Sequence, residues 1–405
     1  MLTPSSNTCL EPVTYRLLAG TDVATAHFAR VGVTRIALDE GCDAQFDLEP
    51  MLTAARQLAD AQVDVIVWNG TSGSWLGVDR DRALCAAITE ATGVPATTST
   101  LAILDACAAY GVTRLGLAVP YTRDVAERIV TTYAREGLDC TLAEPFGVSD
   151  NEAFARIPEA EVARQIEAAA EDVHAVAVVC TNVYGAAAAA GLEEALGIPV
   201  FDSVSATLWR ALDLAGADPV VTGHGELLRS GSLRARCQRV LTALREATGA
   251  DRTTLRLDVP AHALHVDLTA GECVGPEVRS IRRDSSLDQR RLNTVEWLEE
   301  HRVPLVQPHF RDDPHPPQAL VDVYGVNAQM LSPLVRDGAM AGWISVHSLA
   351  EREWTAPDQD QLASAVEQVQ SLLDTYDTHG THGTDGTRAP RAGAAAALTK
   401  EASLA

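Results

Sequence analysis

Residues 63–75, VDVIVWNGTSGSW, and residues 173–184, VHAVAVVCTNVY, decide how this chain folds, because the second repeats the first. Each is a near-continuous apolar run that breaks into small polar residues. Each leads through a helical pattern to a second matched pair, GVPATTSTLAILDACAAYG at 93–111 and GIPVFDSVSATLWRALDLAG at 197–216. Laid over each other, the copies pair Gly70 with Cys180, Thr71 with Thr181 and Ser72 with Asn182. Apolar runs of this kind suit parallel strands covered on both faces. A duplicated α/β unit brings its strand ends to face each other across one cleft, so the repeat predicts a thiol opposite a bare backbone.

Outward from the repeat, short apolar runs alternate with helical patterns from Val23 to Gly216, TRLGLAVP at 113–120 among them. Such alternation predicts a parallel α/β fold. Gly93, Gly111, Gly137 and Gly197 fall just past helical patterns, where a left-handed residue ends a helix. The first strand looks clipped, since only Met1, Leu2 and Thr3 precede the loop that starts at Pro4; a misassigned start codon or a short first strand would each explain that. The opening MLTPSSNTCLEP has no basic start and no apolar segment, so no signal peptide is read and a cytoplasmic location is expected.

At 405 residues the chain is too long for one ordinary core. Its 46% hydrophobic content without a long uncharged apolar run argues for a soluble globular protein with no membrane partner. The net charge of −23 also argues against nucleic acid and anionic membranes. An anionic small substrate stays open, because backbone amides and helix N-termini can make a site locally positive. Eight cysteines, at 9, 42, 85, 107, 140, 180, 237 and 273, show no CxxC spacing, so neither zinc nor a disulfide framework is suggested.

The pattern changes near Gly223-His224-Gly225. An amphipathic helix is expected over 232–248, then alternating strands at 253–259 (TTLRLDV) and 262–268 (HALHVDL). A helix over 285–301 and a strand at 304–310 follow, then a hairpin of 327–335 and 340–348. Asp337-Gly338 between the hairpin strands is a turn signal. A last helix runs from Asp358 to Tyr376. These elements predict an antiparallel α+β domain. Residues 378–397 have almost nothing to bury and are expected to be a solvated, disordered tail, in which His379 and His382 make no metal site. The expected organisation is therefore a catalytic domain at 1–222, a linker at 223–231, a second domain at 232–376 and a tail at 377–405.

Several motifs in one order give the first domain a family likeness: PSSNT with Asn7, GTSGS from Gly70, TTST from Thr97, VPYTRDVAER with Tyr121, CTN from Cys180 and SATLWRALDLAG from Ser205. With these the domain resembles the aspartate/glutamate racemase superfamily, in particular its maleate isomerase and arylmalonate decarboxylase branch. The resemblance implies a pseudo-symmetric two-lobed fold, an active site between the lobes and no cofactor or metal. Racemases of this kind set two cysteines face to face, and maleate isomerases use two as well. Arylmalonate decarboxylases keep one cysteine in the second lobe and a glycine in the first. Gly70 with Cys180 resembles the decarboxylase arrangement, whereas Asn7 and the CTN triplet look more like the isomerases.

The residues themselves suit this chemistry. A free thiol has a pKa near ~8.5 and needs help from its surroundings to act near neutrality. Cys180 is expected at a strand end opening into a helix, where amide N–H groups converge. Thr71, Ser72 and Tyr121, with the backbone of Gly70, Thr181 and Asn182, suit an oxyanion cage, and Asn7 is expected to bind a carboxylate. Structural roles fit the same residues: a thiol after an apolar strand is at home in a core, Gly70 serves a tight turn or marks a lost thiol, and Thr71 and Ser72 suit helix caps. Cys9 follows PSSNT near the site, and Cys85 and Cys107 fall within helical patterns as core residues.

Residues 230–375 resemble a GAF domain, through ATGADRTTLRLDV, TVEWLEEHRVPLVQ, GAMAGWISVHS and TAPDQDQLASAVEQVQSLL. The resemblance implies a module for small-molecule sensing or dimerisation. Cys273 is expected on a loop, unsuited to tetrapyrrole attachment, and Trp297, Trp343, Trp354 and His347 are expected in core or pocket wall. The functional expectation is a cofactor-independent enzyme that moves a proton to carbon, or adds, on a small malonate- or maleate-like dicarboxylate through Cys180. Alternatives are maleate cis–trans isomerisation, and a GAF-coupled metabolite sensor with a degenerate enzyme domain. A homodimer is the expected assembly.

Overall fold

The duplication read from the sequence appears as two parallel sheets of identical strand order. In the computed structural model, residues 1–380 are described apart from 20, 22, 218–220, 222, 263, 268, 285–287 and 310–313. The first lobe holds β1 (Leu2–Pro4), β2 (Ala29–Val31), β3 (Ile66–Trp68) and β4 (Ala96–Thr98), ordered β2-β1-β3-β4. The second holds β5 (Arg114–Ala118), β6 (Asp139–Leu142), β7 (Ala175–Val178) and β8 (Val200–Asp202), ordered β6-β5-β7-β8. The pairs within both sheets are parallel. The central strands β3 and β7 are buried along their whole length, which is why they read as unbroken apolar runs.

The equivalence extends to the helix caps. Thr98 ends β4 and its hydroxyl accepts the Leu101 amide, starting the helix Ser99–Tyr110. Asp202 ends β8 and its carboxylate accepts the amides of Val204 and Ser205, starting the helix Ser203–Leu214. Gly93 and Gly197 close the preceding helices in the left-handed conformation.

The second domain is one antiparallel sheet of order β10-β9-β13-β12-β11, built from β9 (Arg252–Leu257), β10 (Gly271–Val274), β11 (Leu305–Gln307), β12 (Ala328–Arg336) and β13 (Ala339–Ser348). Asp337 and Gly338, at φ 48° and 77°, make the expected two-residue turn between β12 and β13. The chain is thus α/β, a racemase-like pair of parallel lobes followed by an α+β domain.

Four expectations change. Among the described residues of 262–268 no strand forms; a tight turn at Pro260–His262 is closed by the Val259–Leu264 bridge, and β10 and β13 flank β9 instead. Cys273 therefore lies in a strand rather than on a loop, its sulfur accepting from Arg245 Nε at 3.2 Å. Of the helix predicted over 285–301, residues 285–287 lie outside the described residues, Gln289–Arg291 form a single 3-10 turn, and the regular helix runs Asn293–His301. The helix predicted to begin at Ser232 starts at Glu226, inside the expected linker, because the Glu193 carboxylate accepts the first helical amide at 2.7 Å. That helix, Glu226–Thr248, belongs to both domains. Leu227 and Leu228 pack into the first core, while Leu233, Cys237, Leu241 and Leu244 pack into the second. The last helix reaches Gly380, and residues 381–405, expected to be disordered, lie outside the described residues. Among the described residues no helix is long and apolar enough to cross a membrane.

Candidate active site

Two residues beyond the last residue of β3 stands Gly70, and two beyond the last of β7 stands Cys180. The segments meet between the lobes. Thr181 Oγ1 donates to the Asn69 carbonyl at 3.0 Å, joining the two turns directly. Thr71 Oγ1 lies 2.8 Å from Tyr121 OH. The Tyr121 hydroxyl also acts on the Cys180 thiol, so hydroxyl, phenol and thiol are grouped in the cleft. Asn182 N–H points at Cys180 Sγ at 3.4 Å.

Burial is nearly complete: Cys180 is 2% exposed, and Asn7, Thr71, Ser72, Tyr121, Thr181 and Asn182 are all buried with it. That burial pushes the Cys180 thiol up to about 12, against the opposing pull of the Asn182 amide and the Tyr121 hydroxyl; the Asp202 charge adds to the rise. At neutral pH the sulfur carries its proton. Tyr121 is held well above its ordinary range, first by burial and then by Cys180.

Gly70 has a steric reason. A Cβ built there falls 2.3–2.5 Å from three atoms of the Trp68 indole. The space a side chain at position 70 would take is thus occupied by an aromatic ring. The ring is fully buried, and its Nε1–H donates to Ser72 Oγ at 3.2 Å. Ser72 accordingly does not cap the helix Gly73–Leu76 with its side chain. Trp68 went unremarked in the sequence because it reads as the last apolar residue of a buried strand.

Asn7 sits in the loop after β1 with every polar group used. Its Nδ2 donates to Thr181 O at 3.2 Å and Thr181 Oγ1 at 3.1 Å, and its Oδ1 accepts the amides of Cys9 and Leu10. Asn182 mirrors it: Oδ1 accepts the amides of Thr8 and Cys9, and Nδ2 donates to Asn151 O at 2.5 Å. The two asparagines tie the lobes together around the thiol. Cys9 is buried beside them, its Sγ directed at Val183 O at 3.2 Å, and burial followed by the Asp202 charge drives its pKa far up.

Two buried carboxyls escaped the sequence reading. Asp202, fully buried, is pushed up to about 7 by burial, and its Oδ2 has no hydrogen-bond partner among the described residues. Asp81 is pushed up to about 6 by burial while Thr98 Oγ1 donates to it at 2.5 Å. The D-S-x-S cap pattern at 202–205 was the available signal for Asp202. Asp81 follows an exposed aspartate in a polar helix, and nothing local marks it as buried. Beside the cluster, a cavity of about 220 Å³ is lined by Phe46, Met51, Trp68, Ser72, Arg80 and Asp81 among others.

Two parallel lobes closing on one thiol define an enzyme domain of the aspartate/glutamate racemase-like decarboxylase and isomerase class. The chain belongs to the arylmalonate decarboxylase family, whose model matches residues 24–228, and it carries a GAF domain matching residues 232–373. It is 36% identical over 194 residues to the arylmalonate decarboxylase of Bordetella bronchiseptica, a match covering 46% of this chain and 80% of that protein. The maleate isomerase of Pseudomonas putida is 26% identical over 244 residues, covering 56% of this chain and 95% of that protein. The crystal structure of the maleate isomerase Iso from Pseudomonas putida superimposes with a TM-score of 0.52 at 25% identity, covering 57% of this chain and 97% of that one.

Proposed function

We propose that the first domain decarboxylates a small malonate-like dicarboxylate, with Cys180 as the single proton donor. The observation that carries this reading is the buried, protonated Cys180 thiol met by the Asn182 amide, while position 70 has room for no side chain beside the Trp68 ring. When one carboxylate leaves as carbon dioxide, its bonding electrons pass to the α-carbon and spread onto the remaining carboxyl as an enediolate. The Cys180 S–H bond then breaks, its proton forms the new C–H bond, and the electron pair stays on sulfur. The thiolate is received by the Asn182 N–H and the Tyr121 O–H, and water returns the proton. Thr71, Ser72, Tyr121 and the amides of Gly70, Thr181 and Asn182 hold the enediolate oxygens. Losing one donor of such a cage costs about 3–4 kcal/mol. Asn7, expected to bind a carboxylate, would have to exchange Thr181 for the substrate to do so; its observed bonds support a role in closing the lobes. The apolar wall of Phe46, Met51 and Trp68 suits a substituent on the substrate, with Arg80 as a cation at the same cavity.

Both curated relatives are named for reactions of dicarboxylates, which supports that substrate class. Maleate-type isomerisation is the second reading, favoured by Asn7 and the CTN triplet. It requires a Cys180 thiolate to add to a double bond, and burial works against that thiolate. For the whole chain we infer a cytoplasmic homodimer whose GAF domain, from about residue 232, senses a small molecule. The free cysteines described, seven in all, suit a reducing compartment.

The test follows methylphenylmalonate, maleate and aspartate by NMR in D₂O. Conversion of the malonate with deuterium at the α-carbon, abolished in Cys180→Ala, is expected. Full turnover by Cys180→Ala would refute the assignment, and binding without conversion or exchange would favour the sensor.

A further inference from the structure

Beyond the thiol site, the seam between the domains holds a second cavity, of about 640 Å³. Its walls come from both sides: Tyr110 and Glu193 from the first domain, Arg229 and Arg234 from the shared helix, Arg282 and Arg283 from the second. Four guanidinium groups therefore line one space in a chain whose net charge is −23.

The two arginines of the second domain are held by neutral acceptors, while those of the shared helix meet a carboxylate. Arg229 and Arg234 share the one carboxylate of Glu226, at 3.5 and 3.1 Å. Arg282 donates to the Ala109 carbonyl at 2.5 Å and to Gln238 Oε1 at 3.3 Å. Arg283 donates to the carbonyls of Tyr110 and Gly111 at 3.2 and 3.5 Å. These last acceptors are neutral. Of the other acids in the wall, Glu193 is occupied by the amides of Val200 and Glu226 and is pushed up to about 7 by burial, and Glu194 is exposed. His174 is neutral at pH 7, held down at about 4 by burial and then by Arg283. His265, the other histidine of the wall, faces Asp258 at 3.9 Å. Arg282 is only 8% exposed, and the repulsion of Arg234 and Arg283 adds to its desolvation. The Glu272 carboxylate offsets this only in part; a buried cation short of counter-charge is costly, and a bound oxyanion lowers that cost.

We propose that this interdomain cavity binds a small anion carrying at least two charged oxygens, carboxylate or phosphate, gripped by the guanidinium forks of Arg234, Arg282 and Arg283. The site is placed to matter for the first domain. Arg282 and Arg283 cap the C-terminal carbonyls of the helix Ser99–Tyr110, and the Arg282 side chain fills the space a Cβ at Gly111 would need, 2.4 Å from its Cδ. The same helix begins beside the GTS turn, where Thr100 Oγ1 lies 3.3 Å from Ser74 Oγ.

Isothermal titration of the full chain with inorganic pyrophosphate and with succinate, at physiological ionic strength, tests the site. Saturable binding of one equivalent of either probe is expected, weakened at least tenfold by Arg283→Ala and by Arg234→Ala, which alter side chains not fully buried and spare the fold. Cys180→Ala should bind as the unmodified chain does. Pyrophosphate alone would identify a phosphate ligand, succinate alone a carboxylate one. Absence of saturable binding at millimolar concentrations of both probes would overturn the proposal. So would binding indifferent to both arginine substitutions, or binding lost with Cys180.

Discussion

Placing any side chain at position 70 tests the asymmetry of the cleft. A Cβ there would lie 2.3–2.5 Å from the Trp68 indole, more than 1 Å inside ordinary contact, and the buried ring could yield only by shifting toward the cavity it lines with Phe46 and Met51. Overpacking of this kind costs about 1–3 kcal/mol. Displacing the ring also strains the Trp68–Ser72 hydrogen bond, worth about 0.5–1.5 kcal/mol. Gly70→Ala and Gly70→Cys should thus each destabilise the first domain by about 2–4 kcal/mol, lowering its melting temperature on the order of 5–15 °C. The Cβ alone makes the clash, so the two variants should resemble each other. Replacing Trp68 by Leu makes room, so the double variant Trp68→Leu with Gly70→Cys should lose less than the sum of the single losses, with a coupling of about 1–3 kcal/mol. Thermal and urea unfolding, read on the transition assigned to the first domain, measure all three terms. A Gly70→Ala chain as stable as the unmodified one, or strict additivity with Trp68→Leu, would refute the steric account of the missing thiol.

Other outcomes follow from the same geometry. Tyr121→Phe removes the hydroxyl grouped with Thr71 and Cys180, and kcat should fall about 10²-fold with a smaller change in KM; equal loss of binding and turnover would remove Tyr121 from the transition state. Because burial holds Cys180 near 12, iodoacetamide at pH 8 should alkylate it about 10³-fold more slowly than a free thiol, and the rate profile should lack a thiol ionisation between pH 7 and 10. Alkylation at the ordinary rate would show a thiolate instead. Asp202, at about 7 in the fold against ~3.9 unfolded, keeps a proton that the unfolded chain has released, so its contribution to stability is complete at low pH and is lost as pH rises from about 4 to 7. Asp202→Asn keeps the Oδ1 cap, so it should flatten that slope and raise stability at pH 8; an unchanged slope would assign the effect to Asp81 and Glu193.

Much of this molecule was legible along the chain. The unbroken apolar runs at β3 and β7 and the matched glycine stops are local signals, and a duplication repeats local signals at fixed spacing. Period-two patterning served less well in the second domain. HALHVDL alternates as a strand should, yet the chain turns at Pro260–His262, because pairing with β9 was won by Gly271–Val274, whose edge position needs no such pattern.

By itself the sequence determined the two-lobed α/β architecture, the antiparallel domain after it and the position of Gly70 and Cys180 at equivalent strand ends. Only the tertiary structure decided what fills the glycine's side of the cleft, since the Trp68 ring reaches back over Gly70 from the strand before it. It likewise decided the protonation of Cys180, the burial of Asp81 and Asp202, and the meeting of Arg234 with Arg282 and Arg283. The reason is common to all four: desolvation and charge crowding depend on neighbours far apart in the chain, which periodicity and spacing do not encode.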